Sequence, residues 1–143
     1  MENQLSTTLA AHGSLFSLQQ LVNNLMNSFL PAARRHKTQV VNEVRQEIAL
    51  GDKASKAVDV IRDLLDTVVA NSDNGEIHIS AERFKDTIML QIQERNNNNG
   101  YALAYSIETI EPTAMSAGGH ISINGPQKRV ATISFSFPDQ LTA

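Results

Sequence analysis

The chain has 143 residues, a length that suits a single domain able to bury most of its apolar side chains. It has no cysteine, which excludes a disulfide framework, a thiolate metal site and a cysteine nucleophile. The net charge of -3, from 12 basic and 15 acidic residues, gives the chain as a whole no electrostatic footprint for nucleic acid or an anionic membrane.

The N-terminal sequence MENQLSTTLAAHGSLF lacks the basic segment and the continuous apolar run of a signal peptide. No apolar run elsewhere approaches the roughly 20 residues that a membrane-spanning helix needs. We therefore expect a soluble protein of the cytoplasm that binds neither nucleic acid nor membrane. Residues 1–14 are predicted to form a flexible tail, and residues 15–143 one domain.

The first helix is predicted to begin at Ser17. Ser17 and Gln20 have the spacing of a capping box, in which the serine oxygen accepts from the Gln20 amide and the glutamine side chain reaches back. Apolar residues then recur at helical spacing and predict one core-facing stripe: Leu18, Leu21, Val22, Leu25, Met26 and Phe29. Pro31 predicts a kink or the end of this helix, because proline has no amide hydrogen for the carbonyl four residues earlier.

The β-branched residues of 38–44 predict a short strand. Asp52 is predicted to cap a second helix, which stops near Asn71. Its apolar face is formed by Val58, Ile61, Leu64, Leu65, Val68 and Val69.

Alternating apolar residues predict two strands over 76–80 and 87–93. The polar run 95–99 is predicted to be a loop, followed by a third helix over 102–117 that is interrupted near Pro112 and ended by Gly118 and Gly119. Strands over 120–123 and 130–137 complete a hairpin. This order predicts an α/β (α+β) two-layer sandwich, with a mixed and mainly antiparallel sheet and about three helices on one face.

One constellation of polar residues lies on the second predicted helix. Asp63, Thr67 and Asn71 are spaced four and four, so their side chains share one helix face. Side-chain oxygens in such a row suit Mg²⁺, and a carboxylate one turn back suits the polarisation of a water molecule. The alternative is a solvated polar flank without a site. The four histidines are scattered and fit no metal-ligand spacing.

Several stretches of the chain together resemble a known family. They are FSLQQLVNNLMNSFLPAARRHKTQVVNEV, DLLDTVVANSDNG, GYALAYSIETIEPTAMSAGGHISI and ISFSFP. They resemble, in order, the opening helix and strand, the N-box, the last helix and the terminal strand of the ATP-binding catalytic domain of histidine kinases. That domain belongs to the wider gyrase, chaperone, kinase and mismatch-repair ATPase superfamily, so the resemblance, over residues 16–138, implies the Bergerat fold.

The resemblance implies ATP and Mg²⁺ as cofactors. Thr67 stands where the family has the asparagine that holds Mg²⁺, and Asp63 stands where many members have an acidic base. Asn71 is the candidate substitute ligand one turn later. A hydroxyl is a poorer metal ligand than the amide oxygen that it replaces.

The remaining site residues implied by the resemblance follow the fifth predicted element. Glu94, Asn96 and Asn98 stand in the adenine-reading box, which in the family contains an aspartate and two glycines. Gly100, Ala102 and Leu103 stand in the glycine-rich phosphate box, of which one glycine is kept. Only Asn99 separates the two boxes, where the family has a mobile lid.

Because these departures occur together, we expect a degenerate ATP-binding domain in signal transduction. It would act as an adaptor or phosphotransfer scaffold for a signalling partner, either a kinase or a response regulator. Two alternatives remain open: a functional Mg-ATP-binding kinase domain that works in trans, and an anti-sigma-type switch kinase. A homodimer formed through the tail and first helix is a further expectation, although an apolar stripe of this kind is more typical of a core.

Overall fold

The computed structural model describes residues 16–51 and 54–139. The predicted tail, residues 1–14, lies outside these ranges. In chain order the elements are β1 (Phe16–Ser17), α1 (Leu18–Arg35), β2 (Gln39–Asn42), β3 (Ala49–Leu50), α2 (Ser55–Ala70), β4 (Glu76–Phe84), β5 (Thr87–Glu94), α3 (Gly100–Glu108), α4 (Glu111–Ser116), β6 (His120–Asn124) and β7 (Ala131–Pro138).

Five strands form the main sheet in the order β2-β4-β5-β7-β6. β2 runs parallel to β4, and every other neighbouring pair is antiparallel. Alternation along the strands places apolar side chains on one face, where they are buried: Ile77, Ile79, Ile88, Leu90, Ile92, Ile133, Phe135 and Phe137. The other face is mainly polar. The predicted two-layer sandwich, with a mixed and mainly antiparallel sheet, is confirmed.

The helices cover the apolar face of the sheet. The stripe of α1 and that of α2 both enter the core, as shown by the full burial of Leu18, Val22, Ile61 and Leu64. The α1 stripe is therefore used inside the domain, and a homodimer through the tail and first helix stays a prediction. In the described ranges, no helix combines the length and apolar character needed to cross a bilayer.

The start of α1 follows the predicted cap, but only in part. Ser17 Oγ accepts from the Gln20 backbone N–H at 3.2 Å. The Gln20 side chain does not reach back; it donates to Asn24 Oδ1 at 3.5 Å. Of the two outcomes predicted at Pro31, a kink or the end of the helix, the end does not occur, because α1 continues to Arg35. Pro31 lies on the exposed side, while Ala33 beyond it is 2% exposed, so core packing holds the last turn in helical form.

Other boundaries differ from the sequence-based expectation. The strand predicted over 38–44 is limited to β2, and β4 extends well past residue 80 to Phe84. The predicted cap Asp52 lies outside the described residues, and the residue before α2 is Ala54, which makes no side-chain cap. The predicted third helix is two helices, α3 and α4, with Pro112 in the first turn of α4.

Gly118 and Gly119 end α4 as predicted. Gly118 has φ +79°, a left-handed backbone conformation that residues with a side chain rarely adopt. Its amide donates to Met115 O, and the Gly119 amide donates to Ala114 O, each at 2.9 Å. This pairing satisfies the last carbonyls of the helix and turns the chain into β6.

A buried ion pair fastens the end of β7 to the rest of the domain. Arg83 Nη2 donates to Asp139 Oδ2 at 2.5 Å and to Ala49 O at 2.8 Å, while Arg83 Nη1 donates to Asp139 O at 2.8 Å. Both oxygens of Asp139 also accept from the Gly51 amide at 3.0 Å. One carboxylate thus joins β4, the segment after β3 and the end of β7.

Replacing Asp139 with alanine is expected to destabilise the domain by about 3 kcal/mol, because Arg83 would keep its burial and lose its counter-charge. The side chains are only 17% and 3% exposed. Urea unfolding measures the change. Asp59→Ala is the control: it breaks the exposed pair with Arg62 at 3.1 Å and is expected to cost about 0.5 kcal/mol or less. An equal decrease in the free energy of unfolding for the two variants would contradict the prediction.

Candidate functional site

The three polar residues predicted on α2 lie along one side of that helix. Asp63 is exposed, whereas Thr67 and Asn71 are half-buried. Asn71 Nδ2 donates to Thr67 O at 2.9 Å, and the Asn71 backbone amide donates to the same oxygen at 3.1 Å. The amide group of Asn71 therefore serves to cap the C-terminal end of α2.

The carboxylates of Asp63 and Asp66 repel each other on the surface of α2. Partial burial raises the pKa of Asp66 above its usual value of 3.8, the neighbouring carboxylate of Asp63 raises it further, and Arg62 lowers it. Arg62 also pairs with Asp59. Within the described residues, no group of three or more histidine, aspartate or glutamate side chains is placed to hold a metal ion.

Glu94 is the most deeply buried of the predicted site residues that carry a charge. It ends β5, lies on the helix-covered face of the sheet and is 2% exposed. Its Oε2 accepts from Ser72 Oγ at 2.5 Å. Its Oε1 accepts from the backbone amides of Glu76 at 3.2 Å and Asn96 at 3.0 Å. Both carboxylate oxygens thus have donors within the protein.

The hydrogen-bond network around Glu94 continues into the turn between α2 and β4, residues 71–75. Thr38 Oγ1 and Ser72 Oγ lie 2.9 Å apart, and the Gly75 amide donates to Thr38 Oγ1 at 3.3 Å. A Cβ on Gly75 would lie 2.6 and 2.7 Å from the two carboxylate oxygens of Glu94. The carboxylate is therefore in direct contact with the backbone of this turn, and only glycine fits there.

The loop after β5, residues 96–99, consists of four asparagines and is called here the asparagine loop. Three of its side-chain amides donate to carbonyls of turn 71–75. These bonds join Asn96 to Asn74 O at 2.8 Å, Asn98 to Asp73 O at 3.4 Å, and Asn99 to Asn71 O at 3.2 Å. The asparagine loop is thereby held across the C-terminal end of α2.

The remaining asparagine, Asn97, faces a different turn. Its Nδ2 donates to Pro126 O and to Lys128 O, each at 2.9 Å, and its backbone amide donates to Arg129 O at 2.7 Å. These carbonyls belong to the connection between β6 and β7. The asparagine loop therefore bridges two turns of the domain.

Gly100, the glycine that is kept in the predicted phosphate box, is buried at the start of α3. A Cβ built on it would lie 1.4 Å from Pro126 O and 2.8 Å from Asn97 Nδ2. The first turn of α3 thus packs directly on the β6–β7 connection. Of the other two predicted residues, Ala102 is exposed, and Leu103 is 1% exposed within the core.

The structure therefore brings together only part of the predicted site. Asn71, Glu94, Asn96 and Asn98 converge on turn 71–75, whereas Asp63 lies two helical turns away from Asn71 along α2, about 12 Å. Sequence reasoning missed three residues of the Glu94 network: Thr38, Ser72 and Gly75. The only local signal was the turn chemistry of residues 72–75, which gives no indication of a contact with Glu94.

Two surface clefts lie elsewhere. One, of about 400 Å³, is on the open face of the sheet between Glu43, Ser80 and Gln91. The other, of about 290 Å³, lies beside Gly119 and His120. Neither is lined by a predicted site residue.

No protein-family model matches the chain, and no curated protein matches it in sequence. Solved structures do match it in fold. The histidine kinase AdeS of Acinetobacter baumannii gives a TM-score of 0.71 at 13% identity, over 96% of this chain and 76% of AdeS. The nucleotide-free catalytic domain of the histidine kinase ThkA gives 0.66 at 16% identity, over 89% of this chain and 95% of that domain. Full-length ShkA, in complex with AMPPNP, gives 0.72 at 11% identity, over 91% of this chain and 32% of ShkA.

These matches run through nearly all the elements of the domain. The chain therefore has the fold of histidine kinase catalytic domains, in a divergent form, as the resemblance of its sequence implied. At identities of this size the likeness concerns the fold, and the residues at the site have to be judged on their own contacts.

Replacing Ser72 with alanine is expected to destabilise the domain by about 2 kcal/mol, because the buried Glu94 Oε2 loses a donor that no solvent replaces. Urea unfolding measures the loss, and Ser116→Ala on the exposed surface of α4 is the control.

Thr38→Val should couple to Ser72→Ala in a double-mutant cycle, since the two hydroxyls are in contact. Additive losses would show that the network does not act as a unit.

Gly100→Ala is expected to cost about 2 kcal/mol, because the new methyl group would overlap Pro126 O and force α3 away from the β6–β7 connection. Thermal and urea unfolding measure the change. The neighbouring variant Tyr101→Ala is the matched control: Tyr101 is 79% exposed, so its truncation should change stability by about 0.5 kcal/mol or less. An unaffected Gly100→Ala variant would contradict the packing described for α3.

Proposed function

We propose that this chain is a histidine-kinase-type domain that does not bind nucleotide and acts in signal transduction as an adaptor or phosphotransfer scaffold. The observation that carries the proposal is the set of hydrogen bonds that the Glu94 carboxylate accepts within the protein. The resemblance assigns to this residue the reading of adenine, which requires a carboxylate that can accept from the base. Here both oxygens already accept from Ser72, Glu76 and Asn96.

A carboxylate has about four acceptor positions, and three of those on Glu94 are already occupied by protein donors, so an adenine amino group would have to share the carboxylate with this network. One adenine amino group supplies at most two N–H donors, whereas the protein supplies three that are already positioned. The Glu94 carboxylate also lies against Gly75, where a Cβ would be 2.6 and 2.7 Å from its two oxygens. The residues at this position therefore fit an internal network better than they fit a base.

The asparagine loop supports the same proposal. The amides of Asn96, Asn98 and Asn99 donate to turn 71–75, across the end of α2 where the resemblance places the nucleotide. Gly100 is used for contact with Pro126 O. Backbone amides at a helix start bind phosphate when they face open space, and here a carbonyl oxygen lies against that turn.

The proposed Mg²⁺ position is equally poor. Thr67 offers a single hydroxyl oxygen, and Asn71 directs its amide nitrogen to Thr67 O. Asp63, the candidate base, is exposed on the helix surface. Mg²⁺ at a nucleotide site is usually held by one or two protein carboxylates together with phosphate and water, and the carboxylate on this side of α2, Asp63, lies exposed one helical turn before Thr67.

The partner in this proposal is a signalling protein, either a kinase or a response regulator, in a two-component system of the cytoplasm. ThkA, one of the structurally similar kinases, has been solved in complex with the response regulator TrrA. On this chain, α3 presents two aromatic side chains one turn apart: Tyr101 is 79% exposed and Tyr105 is 73% exposed. Exposed aromatic side chains of this kind are typical of contact surfaces in complexes.

The proposal is tested by titration of the purified chain with Mg-ATP, Mg-ADP and AMPPNP in a calorimeter, with thermal unfolding in parallel. We expect no saturable heat and no shift in Tm at millimolar nucleotide. A ligand present at 100 times its Kd would stabilise the fold by about 2.7 kcal/mol, so binding in the micromolar range would be obvious.

The outcome that contradicts the proposal is saturable micromolar binding that is weakened by Thr67→Val. The matched control for that variant is Thr132→Val, which makes the same change on the open face of the sheet. This outcome would favour the alternative of a functional kinase domain that works in trans. The anti-sigma-type alternative also requires an intact nucleotide site. Binding in this titration would therefore favour it, and the absence of binding would exclude it.

A further inference from the structure

The outer strand β6 leaves one edge of the main sheet without a partner. Within the described residues β6 pairs only with β7, and the sheet order places it at the end. Among residues 16–51 and 54–139, no backbone hydrogen bond outside this pairing involves residues 120–124. A strand in this position presents unpaired N–H and C=O groups that favour the addition of another strand.

The two edges of the sheet differ in how they are protected. At the β2 edge, Asn42 Nδ2 donates to Gln19 O at 3.0 Å and to Asn23 Oδ1 at 2.8 Å, so α1 is tied to the end of this strand. Between β6 and the rest of the described chain there is no such side-chain hydrogen bond, and the sequence of β6, HISIN, contains no lysine, no proline and no acidic residue. The usual features that prevent edge-to-edge pairing are therefore missing from β6.

The sequence of β6 is symmetric about its central residue. Read in either direction from Ser122, an isoleucine comes first and a polar residue second: Ile121 and His120 on one side, Ile123 and Asn124 on the other. Ile121 is buried and Ile123 is half-buried on the helix side, while the three polar residues are exposed on the open face. A strand with this symmetry is complementary to an antiparallel copy of itself.

We propose that β6 pairs with β6 of a second copy of this chain, in an antiparallel register centred on Ser122. Ser122 then faces Ser122 of the second copy, Ile121 faces Ile123, and His120 faces Asn124. Each pair joins residues of matching character, which is the arrangement that stabilises neighbouring strands. The interface is isologous, as expected for a two-fold dimer.

This pairing fixes the geometry of the dimer. In an antiparallel pair, residues that face one another point to the same side of the sheet, so the two-fold axis is perpendicular to the sheet. The result is a continuous ten-stranded sheet whose two helix layers lie on the same side. The proposal uses neither Glu94 nor the asparagine loop, and the result of the nucleotide titration therefore does not affect it.

The first test is sedimentation equilibrium of the unmodified chain from about 1 μM to 1 mM, a range chosen because a single strand pair gives a small interface. We expect the mass to rise with concentration from the monomer value of 15.7 kDa towards twice that value. A monomer at every concentration would overturn the proposal. This measurement needs no variant and is independent of any folding defect.

The second test maps the register with single cysteines, which is clean because the chain contains none. Ser122→Cys should form a covalent dimer under mild oxidation with diamide, since facing positions place the two Cα atoms about 5 Å apart. His120→Cys alone and Asn124→Cys alone should stay monomeric, because each lies about 14 Å from its own copy. An equimolar mixture of these two variants should cross-link.

Ser134→Cys is the matched control. Ser134 is the β7 neighbour of Ser122 on the same face, one strand further from the edge. Circular dichroism and Tm establish that each variant is folded before oxidation. Cross-linking of Ser134→Cys as fast as Ser122→Cys, or a mixture of His120→Cys and Asn124→Cys that stays monomeric, would overturn the proposed edge and register even if the unmodified chain dimerises.

Discussion

A carboxylate taken out of water has to be satisfied by donors inside the protein, because an unpaired buried charge is one of the most costly features a fold can contain. Glu94 meets this requirement through Ser72 at the end of α2, the Glu76 amide at the start of β4, and the Asn96 amide after β5. One side chain therefore holds three separate segments in register. The arrangement at this end of the domain follows from that single constraint.

The small residues around Glu94 are set by the same constraint. The carboxylate lies against Gly75, where any Cβ would overlap it. The asparagine loop then covers the turn, and three of its amides donate to carbonyls of the turn. The turn is thus covered by side chains of the protein itself.

The sequence was sufficient to predict the elements with strong periodicity. The apolar stripes of α1 and α2 and the alternation in β4, β5 and β7 were read correctly, because those patterns are local. At Pro31 the helix continues instead of ending, because the local effect of proline is outweighed by the burial of Ala33 beyond it. The pairing of β1 with β3 was not predicted, because two-residue strands carry no detectable pattern.

The candidate site was harder to predict for the same physical reason. Ser72 and Glu94 are 22 positions apart, and Arg83 and Asp139 are 56 apart, so nothing in the local sequence indicates either contact. The resemblance placed Glu94, Asn96 and Asn98 in one adenine-reading box, and in the structure these residues lie around turn 71–75. It gave no indication that their hydrogen bonds would be made with each other and with the turn, since that depends on side-chain direction in the folded chain.

Groups that are available to a partner lie on the outer surfaces of the described domain. Polar groups that are satisfied internally offer little to a ligand, whereas the exposed tyrosines of α3 and the open edge of β6 are unpartnered within the described residues. The two surfaces act together in the proposed dimer, since its two-fold axis places both helix layers, and therefore both α3 helices, on the same side of the sheet. A partner with two matching contact sites would bind both at once, and the second contact would form at a high effective concentration. In the proposed dimer, affinity for such a partner would therefore increase through assembly alone.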